Sequence, residues 1–481
     1  MNITMILEMA ASADDRAVVT AGGTSRSAAD ILDLARRAAS EFTEYPAVLY
    51  TGVNDVAYPV ALFGAAMAGV PFVPLNYRLG DAQLTALRER HPGARVLGQD
   101  ALDSWLRSLA DHEPLEDADR PAAHYDGDAV AVIIYTSGTT AAPKAAILRH
   151  RHLLAYVLNT IEFSSAAVED ATVVAVPPYH IAGLTNLLSN LYSGRRVVYL
   201  DSFEPRQWIE TVRREKVTHA MVVPTMLARI VEATTDADAG QPFVKSLAYG
   251  GARTPRPVIE RALELFPHTN FVNAYGLTET ASSIAVLGPE DHRDAMASDD
   301  PAVRDRLGSV GRPLPGIEIL IRDDEGAPTP DGDTGLVFVR GEQISGEYGG
   351  RSVLDADGWF ATRDLGRLDA DGFLFIEGRS DDTIIRGGEN IAPAEIEDVL
   401  HAHPTITEAA VIGVPDPEWG QRIVAVVVGT GDADEIKQFV RDRLRSSKTP
   451  DTVVFHSDLP RTETGKLLRR NLVSALEKNP A

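Results

Sequence analysis

The sequence predicts an α/β protein of more than one domain, with mostly parallel sheets in a large N-terminal part and a small α+β unit at the C-terminal end. Three observations carry this. The chain has 481 residues, too many for one compact core. Short apolar runs alternate with helical patterns through its first two thirds. After about residue 310 glycine and aspartate become frequent between short strands, and after Gly378 a fresh succession of helix and strand begins.

The elements follow in order. Buried strands are predicted at PAVLYTG (46–52), DATVVAVPP (170–178), RRVVYL (195–200), HAMVVP (219–224) and FVNAYG (271–276), with helices at Pro205–Glu215 and Pro255–Leu265. Val56 to Tyr77 carries no charge. Three prolines and two glycines interrupt it, so it reads as a buried helix near 57–68 followed by the strand PFVPL, not as a membrane span. The runs IEILIRD (317–323), GLVFVRG (335–341) and GFLFIEG (372–378) form a β-rich subdomain with tight turns. From Pro393 a helix, two strands, a further helix and a last strand make up the C-terminal unit of about 100 residues. The boundary falls near Arg379–Asp382.

Composition narrows the function. Hydrophobic residues are 44% and charged residues 24% of the chain, values of a globular protein. The net charge is −23, which disfavours nucleic acid and anionic lipid surfaces as partners. There is no cysteine, so disulfides, thiolate metal sites and Cys nucleophiles are excluded. The N-terminus has no basic segment ahead of an apolar one, and a cytoplasmic location is expected.

Chemistry concentrates in a few loops. The apolar strand Ala129–Tyr135 leads into Thr136, Ser137, Gly138, Thr139 and Thr140, then Lys144, with a helix expected from about Ala145. Four hydroxyls, a Gly and a Lys at a strand-to-helix turn suit a phosphate cradle, although no Gly-Lys-Ser/Thr sequence of a Walker loop occurs. Tyr275-Gly276-Leu277-Thr278-Glu279 offers an aromatic plane for a base, close backbone approach, a hydroxyl and a carboxylate for Mg²⁺. Asp364, in a tight loop, can accept both hydroxyls of a ribose. Lys466 sits in a second Gly-Lys loop near the C-terminus.

Taken together, YTSGTTAAPKAA, PPYHIAGL, NAYGLTET, GWFATRDLG, GRSDDTIIRGGENIAPAEIE and LPRTETGKLLRR, in this order, resemble the adenylate-forming superfamily. That superfamily contains acyl-CoA synthetases, aryl-CoA ligases, firefly luciferase and peptide-synthetase adenylation domains; the likeness is closest to the AMP-forming acyl-CoA synthetases. The resemblance spans about residues 20 to 475. It implies an adenylate-forming domain at 1–380 and a mobile C-terminal domain at 381–481, with Asp381 at the hinge.

The resemblance also implies roles. Thr136, Ser137, Gly138, Thr139, Thr140 and Lys144 would meet the β- and γ-phosphates of ATP, and Thr278 and Glu279 the α-phosphate and Mg²⁺. Gly250, Gly251, Ala252, Asn273, Ala274 and Tyr275 would line adenine, and Asp364 and Arg379 would bind ribose. Lys466 would bridge carboxylate and α-phosphate, while Gly388 would enter the site for the thioester step. His180 would border the acyl pocket with Gly183, Asn186, Met221, Val223, Tyr249 and Gly276, a mostly apolar set that suits a fatty, alicyclic or aromatic acid. No acid stands beside His180 to hold an α-amine.

The activity implied is ATP-dependent acid–thiol ligation: a small-molecule carboxylic acid is activated with ATP and Mg²⁺, then passed to CoA or to the phosphopantetheine arm of a carrier protein. Arg441, Arg443, Arg445 and Lys448 are candidates for meeting CoA phosphates. An enzyme working only from a preformed acyl-adenylate, a non-catalytic adenylate binder and a luciferase-like oxygenase are the alternatives. Three positions depart from the family pattern: Ala141 and Ala145 in the phosphate loop and Arg363 before Asp364 stand where Gly is usual. A left-handed conformation at any of them would cost about 1–2 kcal/mol.

Overall fold

The charge-free stretch folds as the helix Ala57–Met67, in which every residue is buried, followed by the strand Phe72–Pro74. Among the described residues no helix is long and apolar enough to cross a membrane. The computed structural model describes residues 1–13, 15–136, 143–235, 244–386, 389–416, 419–444, 446–462 and 465–478.

Within these residues the larger lobe holds two mainly parallel sheets. The central strands of one run Asn270–Leu277, Ser246–Gly250, His219–Val222, Ala171–Val174 and Arg196–Tyr199, all parallel. The other packs Val130–Thr136, Phe72–Pro74, Val48–Thr51 and Arg95–Gly98 in parallel, with Lys144–Arg149 and Glu347–Tyr348 added antiparallel. These strands read as continuous apolar runs because helices cover their faces. Local chemistry fixes the helix starts. Ser27 and Asp30 form a capping box for Ala28–Phe42. Glu204 caps Pro205–Arg214, with proline in the first turn.

The β-rich subdomain is an antiparallel four-stranded sheet of Glu318–Arg322, Gly335–Arg340, Phe360–Leu368 and Leu374–Arg379. The chain then turns through Ser380–Asp382 into the smaller lobe. There Ile406–Asp416, Gly420–Gly429 and Thr452–His456 form a sheet, packed by Pro393–His401 and Ala433–Arg441.

The larger lobe buries several histidines. Burial holds His150 at about 3 and His152, His180 and His219 at about 4, from 6.5 for the free side chain. Folded values below the unfolded one mean that the unfolded chain binds more protons as pH falls below 6.5. Stability is therefore lost on acidification through that window; the raised carboxyls Asp364 and Asp398 act in the opposite sense. The urea midpoint is expected to fall steadily between pH 6.5 and 5, and His150→Gln should flatten that slope. A flat midpoint in the parent protein would contradict the assignment of neutral buried imidazoles.

Candidate active site

The phosphate-loop strand pairs antiparallel with Lys144–Arg149, in the register Thr136↔Lys144 and Tyr135↔Ala145. The expected helix from Ala145 is thus corrected: the segment is a strand, and the helix starts at His150. The short apolar run AAIL fits either element by pattern. Its pairing with Val130–Thr136 on one side and, through Ala146, with Tyr348 on the other decides for the strand. Ser137, Gly138, Thr139, Thr140 and Ala141 lie outside the described residues, as does Gly388. Ala145 is extended and accepts a hydrogen bond from the Gly349 N–H at 3.0 Å, so its Cβ brings no left-handed strain.

The residues expected around adenine converge at the carboxyl ends of two adjacent parallel strands, where Tyr249↔Asn273 and Gly250↔Ala274 are paired. Ligands in open α/β sheets occupy this end. Gly251 and Ala252 continue from the first strand, and Asn273 Nδ2 is anchored on the Ser309 carbonyl at 2.9 Å. The second strand shifts register between Tyr275 and Gly276. A Cβ at Gly276 would stand 1.9 Å from the Ser282 carbonyl oxygen, so only glycine permits this approach.

The chain then turns at Thr278–Thr280 and buries Glu279 to 8% exposure. The Tyr348 hydroxyl donates to Glu279 Oε1, and the Lys144 ammonium lies 5.6 Å from the centre of the Tyr348 ring. Burial, with Glu279 beside it, raises the Tyr348 phenol, so it stays protonated and donating. Tyr348 was not legible as a site residue. It lies in the two-residue strand Glu347–Tyr348 between glycines, and only the pairing of that strand with Lys144–Arg149 brings it to Glu279.

Asp364 is 4% exposed. Tyr275 Oη donates to its Oδ2 at 2.5 Å, and Arg379 Nη1 lies 3.2 Å from its Oδ1. Burial raises the carboxyl; Arg379, Tyr275 and Lys466 pull it back down. Lys466 comes from the smaller lobe. Its loop is closed by Thr462 N–H to the Lys466 carbonyl at 2.7 Å and Gly465 N–H to the Thr462 carbonyl at 2.8 Å.

Gly465 has φ +76°, and a Cβ there would come within 2.5 Å of Thr225 Oγ1, so this loop seats directly on the larger lobe. The Lys466 side chain keeps contact with solvent at the cleft mouth. Desolvation there, and Arg379, lower its ammonium below 10.5 against the opposing fields of Asp364, Asp382 and Glu279. Arg253, just after Ala252, also pairs across the lobes with Asp398.

The structure divides the expected acyl-pocket set. Met221 pairs with Ala248 on the strand face opposite the core residues Val222 and Tyr249. Tyr249 is fully buried and its hydroxyl bonds His292 at 2.9 Å, so it is a core residue, because strand alternation turns it away from Ala248 and Gly250. Val223 packs in the same core cluster. Gly183 lies against the Pro177 carbonyl, where a Cβ would stand 2.8 Å away. On the same helix Asn186 Oδ1 accepts from Asn190 at 2.9 Å, and Thr185 donates to Ser282 Oγ at 3.0 Å, which brings this helix against the turn after Glu279. His180 is neutral at pH 7, held down by burial and by Arg78.

Of the basic candidates on the smaller lobe, Lys448 is paired with Glu395 and Arg443 lies 3.5 Å over the Phe439 ring. Arg445 is outside the described residues. Arg363 takes φ +65°, so the left-handed cost of about 1–2 kcal/mol expected for a non-glycine residue applies here.

The chain is similar to known proteins over most of its length. The family model "AMP-binding enzyme" matches residues 7–348, and that for the AMP-binding enzyme C-terminal domain matches residues 395–466. A feruloyl-CoA synthase from an Amycolatopsis species is 34% identical over 440 residues, covering 88% of this chain and 87% of the relative. A 2-succinylbenzoate–CoA ligase from Geobacillus kaustophilus is 36% identical over 362 residues, covering 73% and 71%. The solved o-succinylbenzoate coenzyme A synthetase of Bacillus subtilis, in complex with ATP and magnesium ion, superposes with a TM-score of 0.80 at 28% identity, covering 98% of this chain and 99% of that one.

Tyr348→Phe removes the donor to Glu279 while keeping the ring beside Lys144. Glu279 is the carboxylate expected to hold Mg²⁺, and outer-shell partners of such a carboxylate are typically worth about 10–100-fold in metal affinity. The Mg²⁺ concentration giving half-maximal activity should rise within that range, measured by Mg²⁺ titration; an unchanged titration would remove Tyr348 from the site.

Proposed function

The chain belongs to the AMP-binding enzyme family and is an AMP-forming acyl-CoA ligase, and on that premise we propose that its cleft activates an aromatic or other hydrophobic carboxylic acid with ATP and passes the acyl group to CoA. One observation carries this reading above the rest. The Gly465–Lys466 loop of the smaller lobe seats against Thr225 of the larger lobe, where the Lys466 ammonium feels the charges of Asp364, Arg379 and Glu279.

The residues fit the groups the reaction needs. Asp364, buried and positioned by Tyr275 and Arg379, suits the two hydroxyls of ribose. Gly250, Gly251 and Tyr275 stand at the carboxyl ends of adjacent parallel strands, where a flat base would be held. Thr136 and Lys144 flank the loop expected to meet phosphate. Mg²⁺ takes one or two carboxylates together with phosphate oxygens. Glu279 would hold Mg²⁺, with Thr278 beside it, and the ion when bound would offset phosphate charge.

In the first half-reaction a carboxylate oxygen attacks the α-phosphorus. A new P–O bond forms, the bond to pyrophosphate breaks, and an acyl-adenylate results. The two reactants are both anions, so positioned cations govern the barrier, and no protein nucleophile is required. Lys466 supplies the mobile positive charge and touches the reacting oxygens. In the second half-reaction the CoA thiolate attacks the acyl carbon and AMP leaves.

Met221, Ala248 and His180, which is neutral at pH 7 with Arg78 acting on it, offer no carboxylate for an amine, so a ring or chain is favoured over an amino acid. The feruloyl- and succinylbenzoate-activating relatives support an aryl acid.

ATP–pyrophosphate exchange should appear with at least one member of an aromatic and fatty acid panel and be followed by CoA-dependent thioester release. Exchange without a CoA product, but with acyl transfer to a phosphopantetheinylated carrier protein, would replace the acceptor. Lys466→Ala should lower exchange by about 10²–10³-fold, the usual loss for one preorganised charge, and leave thioester formation from a synthetic acyl-adenylate in place. Surviving exchange would remove Lys466 from the first step. Because the working form is the ammonium and its pKa is lowered, exchange should fall as pH rises, with a midpoint below 10.5. No acid limb near pH 6.5 should arise from His180, which titrates at about 4.

A further inference from the structure

We propose that Arg363 is a positioning residue that fastens the linker between the lobes to the nucleotide-binding strand, and so favours the closed arrangement in which Lys466 faces Asp364. The inference rests on the two-step reading above but concerns a contact that neither reacting group makes.

Three features converge on this residue. First, within the strand Phe360–Leu368 only Arg363 has a positive φ, +65°. The strand is irregular on both sides of it, with register shifts between Leu336 and Phe338 in one partner ladder and between Leu365 and Gly366 in the other. A bulge of this kind re-aims side chains: Asp364 turns inward and is buried, while Arg363 turns outward and is half exposed. Glycine would take this conformation without strain.

Second, both ends of Arg363 hold the linker Ser380–Asp382. The Ser380 hydroxyl donates to the Arg363 carbonyl at 3.1 Å, and the guanidinium lies 3.7 Å from Asp381 Oδ2. Third, the next acid is claimed by the other lobe. Asp382 pairs with Arg469 at 3.2 Å, and Arg469 also holds Glu397 at 2.6 Å. Two consecutive carboxylates are thus divided, Asp381 to the larger lobe and Asp382 to the smaller one. That division fixes the direction in which the chain leaves the strand ending at Arg379, whose own guanidinium is committed to Asp364.

The Arg363–Asp381 pair is exposed and therefore weak and sensitive to salt. Weakness suits a contact that must open when the smaller lobe turns for the thioester step. A contact of this strength shifts a two-state population by about twofold to fivefold.

The test separates closure from chemistry. The chain has no cysteine, so spin labels attach only at introduced sites. Ala297→Cys on the larger lobe and Asp442→Cys on the smaller one are exposed positions that report the lobe separation. Arg363→Ala and Asp381→Asn are each expected to shift the distance distribution away from the closed peak. Each should also slow ATP–pyrophosphate exchange by about twofold to fivefold.

The rate of thioester formation from a supplied acyl-adenylate should stay unchanged, and any rise in ATP KM should stay within the same twofold to fivefold and accompany the shift in the distance distribution. The double variant should be no slower than either single one, and Arg363→Lys should restore most of the closed population. A rise in ATP KM with an unchanged distance distribution would overturn the proposal, because Arg363 would then act on the nucleotide. Equal loss in both half-reactions, additive single effects, or no change in the distance distribution would also overturn it. If the parent protein shows no exchange with any acid, the functional reading fails by itself, and the distance distributions still decide the role of Arg363.

Discussion

The buried carboxylate of Asp364 is the constraint on which the rest of the site depends. Removing an ionised group from water is unfavourable unless nearby charges and donors replace its hydration. Here the replacements come from three separate stretches of chain: Tyr275 at the end of a parallel strand, Arg379 opposite Asp364 on the neighbouring antiparallel strand, and Lys466 on the smaller lobe. The first two belong to the larger lobe and are permanent. The third is carried by the smaller lobe. The lobe movement proposed above would change the field at Asp364 and so couple the nucleotide site to the position of the smaller lobe. The coupling is mutual. Lys466 in the cleft loses hydration, and the acids Asp364, Asp382 and Glu279 offset part of that loss.

Backbone strain recurs at the same place. Of the described non-glycine residues with positive φ, Ser164 and Lys216 lie elsewhere, while Ala281 at φ +52°, Ser282 at φ +118° and Arg363 at φ +65° border the site. Ala281 and Ser282 follow Thr280 in the turn after Glu279, and Arg363 precedes Asp364. Such conformations persist only where surrounding structure over-determines them. After Glu279 the determinants are visible. Thr280 Oγ1 donates to the Ser282 carbonyl at 2.6 Å, Gln343 Nε2 donates to the Thr280 carbonyl at 2.9 Å, and Gly276 leaves room for the turn. These contacts let a buried carboxylate project from a turn tighter than the strands around it.

Most strands and helices were legible because burial on both faces writes a strand as an unbroken apolar run, and because caps such as Ser27 and Glu204 mark where helices begin. The charge-bearing residues were legible through their motifs, and the structure gathers Tyr275, Glu279, Asp364, Arg379 and Lys466 around one cleft. What was not legible depended on pairing between distant segments. Lys144–Arg149 looked like a helix start because AAIL carries no period of its own. Tyr249 looked like a pocket residue by its place beside Gly250, yet alternation sends it to the core. Tyr348, Arg253 and Thr225 have no motif at all; only tertiary contacts bring them to Glu279, Asp398 and Gly465.

The way the lobes are joined explains how one cleft can serve two reactions. Among the described residues, no hydrophobic cluster spans the linker. The clusters around Ile396 and Val426 are drawn wholly from the smaller lobe, and the others wholly from the larger one. What crosses between them is polar or close backbone packing: Arg253 with Asp398, Gly465 against Thr225, and Lys466 among the cleft acids. An apolar interface of ordinary size would hold one arrangement strongly, since burial of apolar surface contributes about 25 cal/mol per Å². Exposed ion pairs contribute about 0–1 kcal/mol each, so closed and open arrangements can lie near each other in free energy. Binding of a polyanionic nucleotide then adds charge that only the closed cleft neutralises fully, and departure of pyrophosphate takes much of that charge away. The interlobe contacts need only be weak for the chemistry itself to bias the motion that follows it.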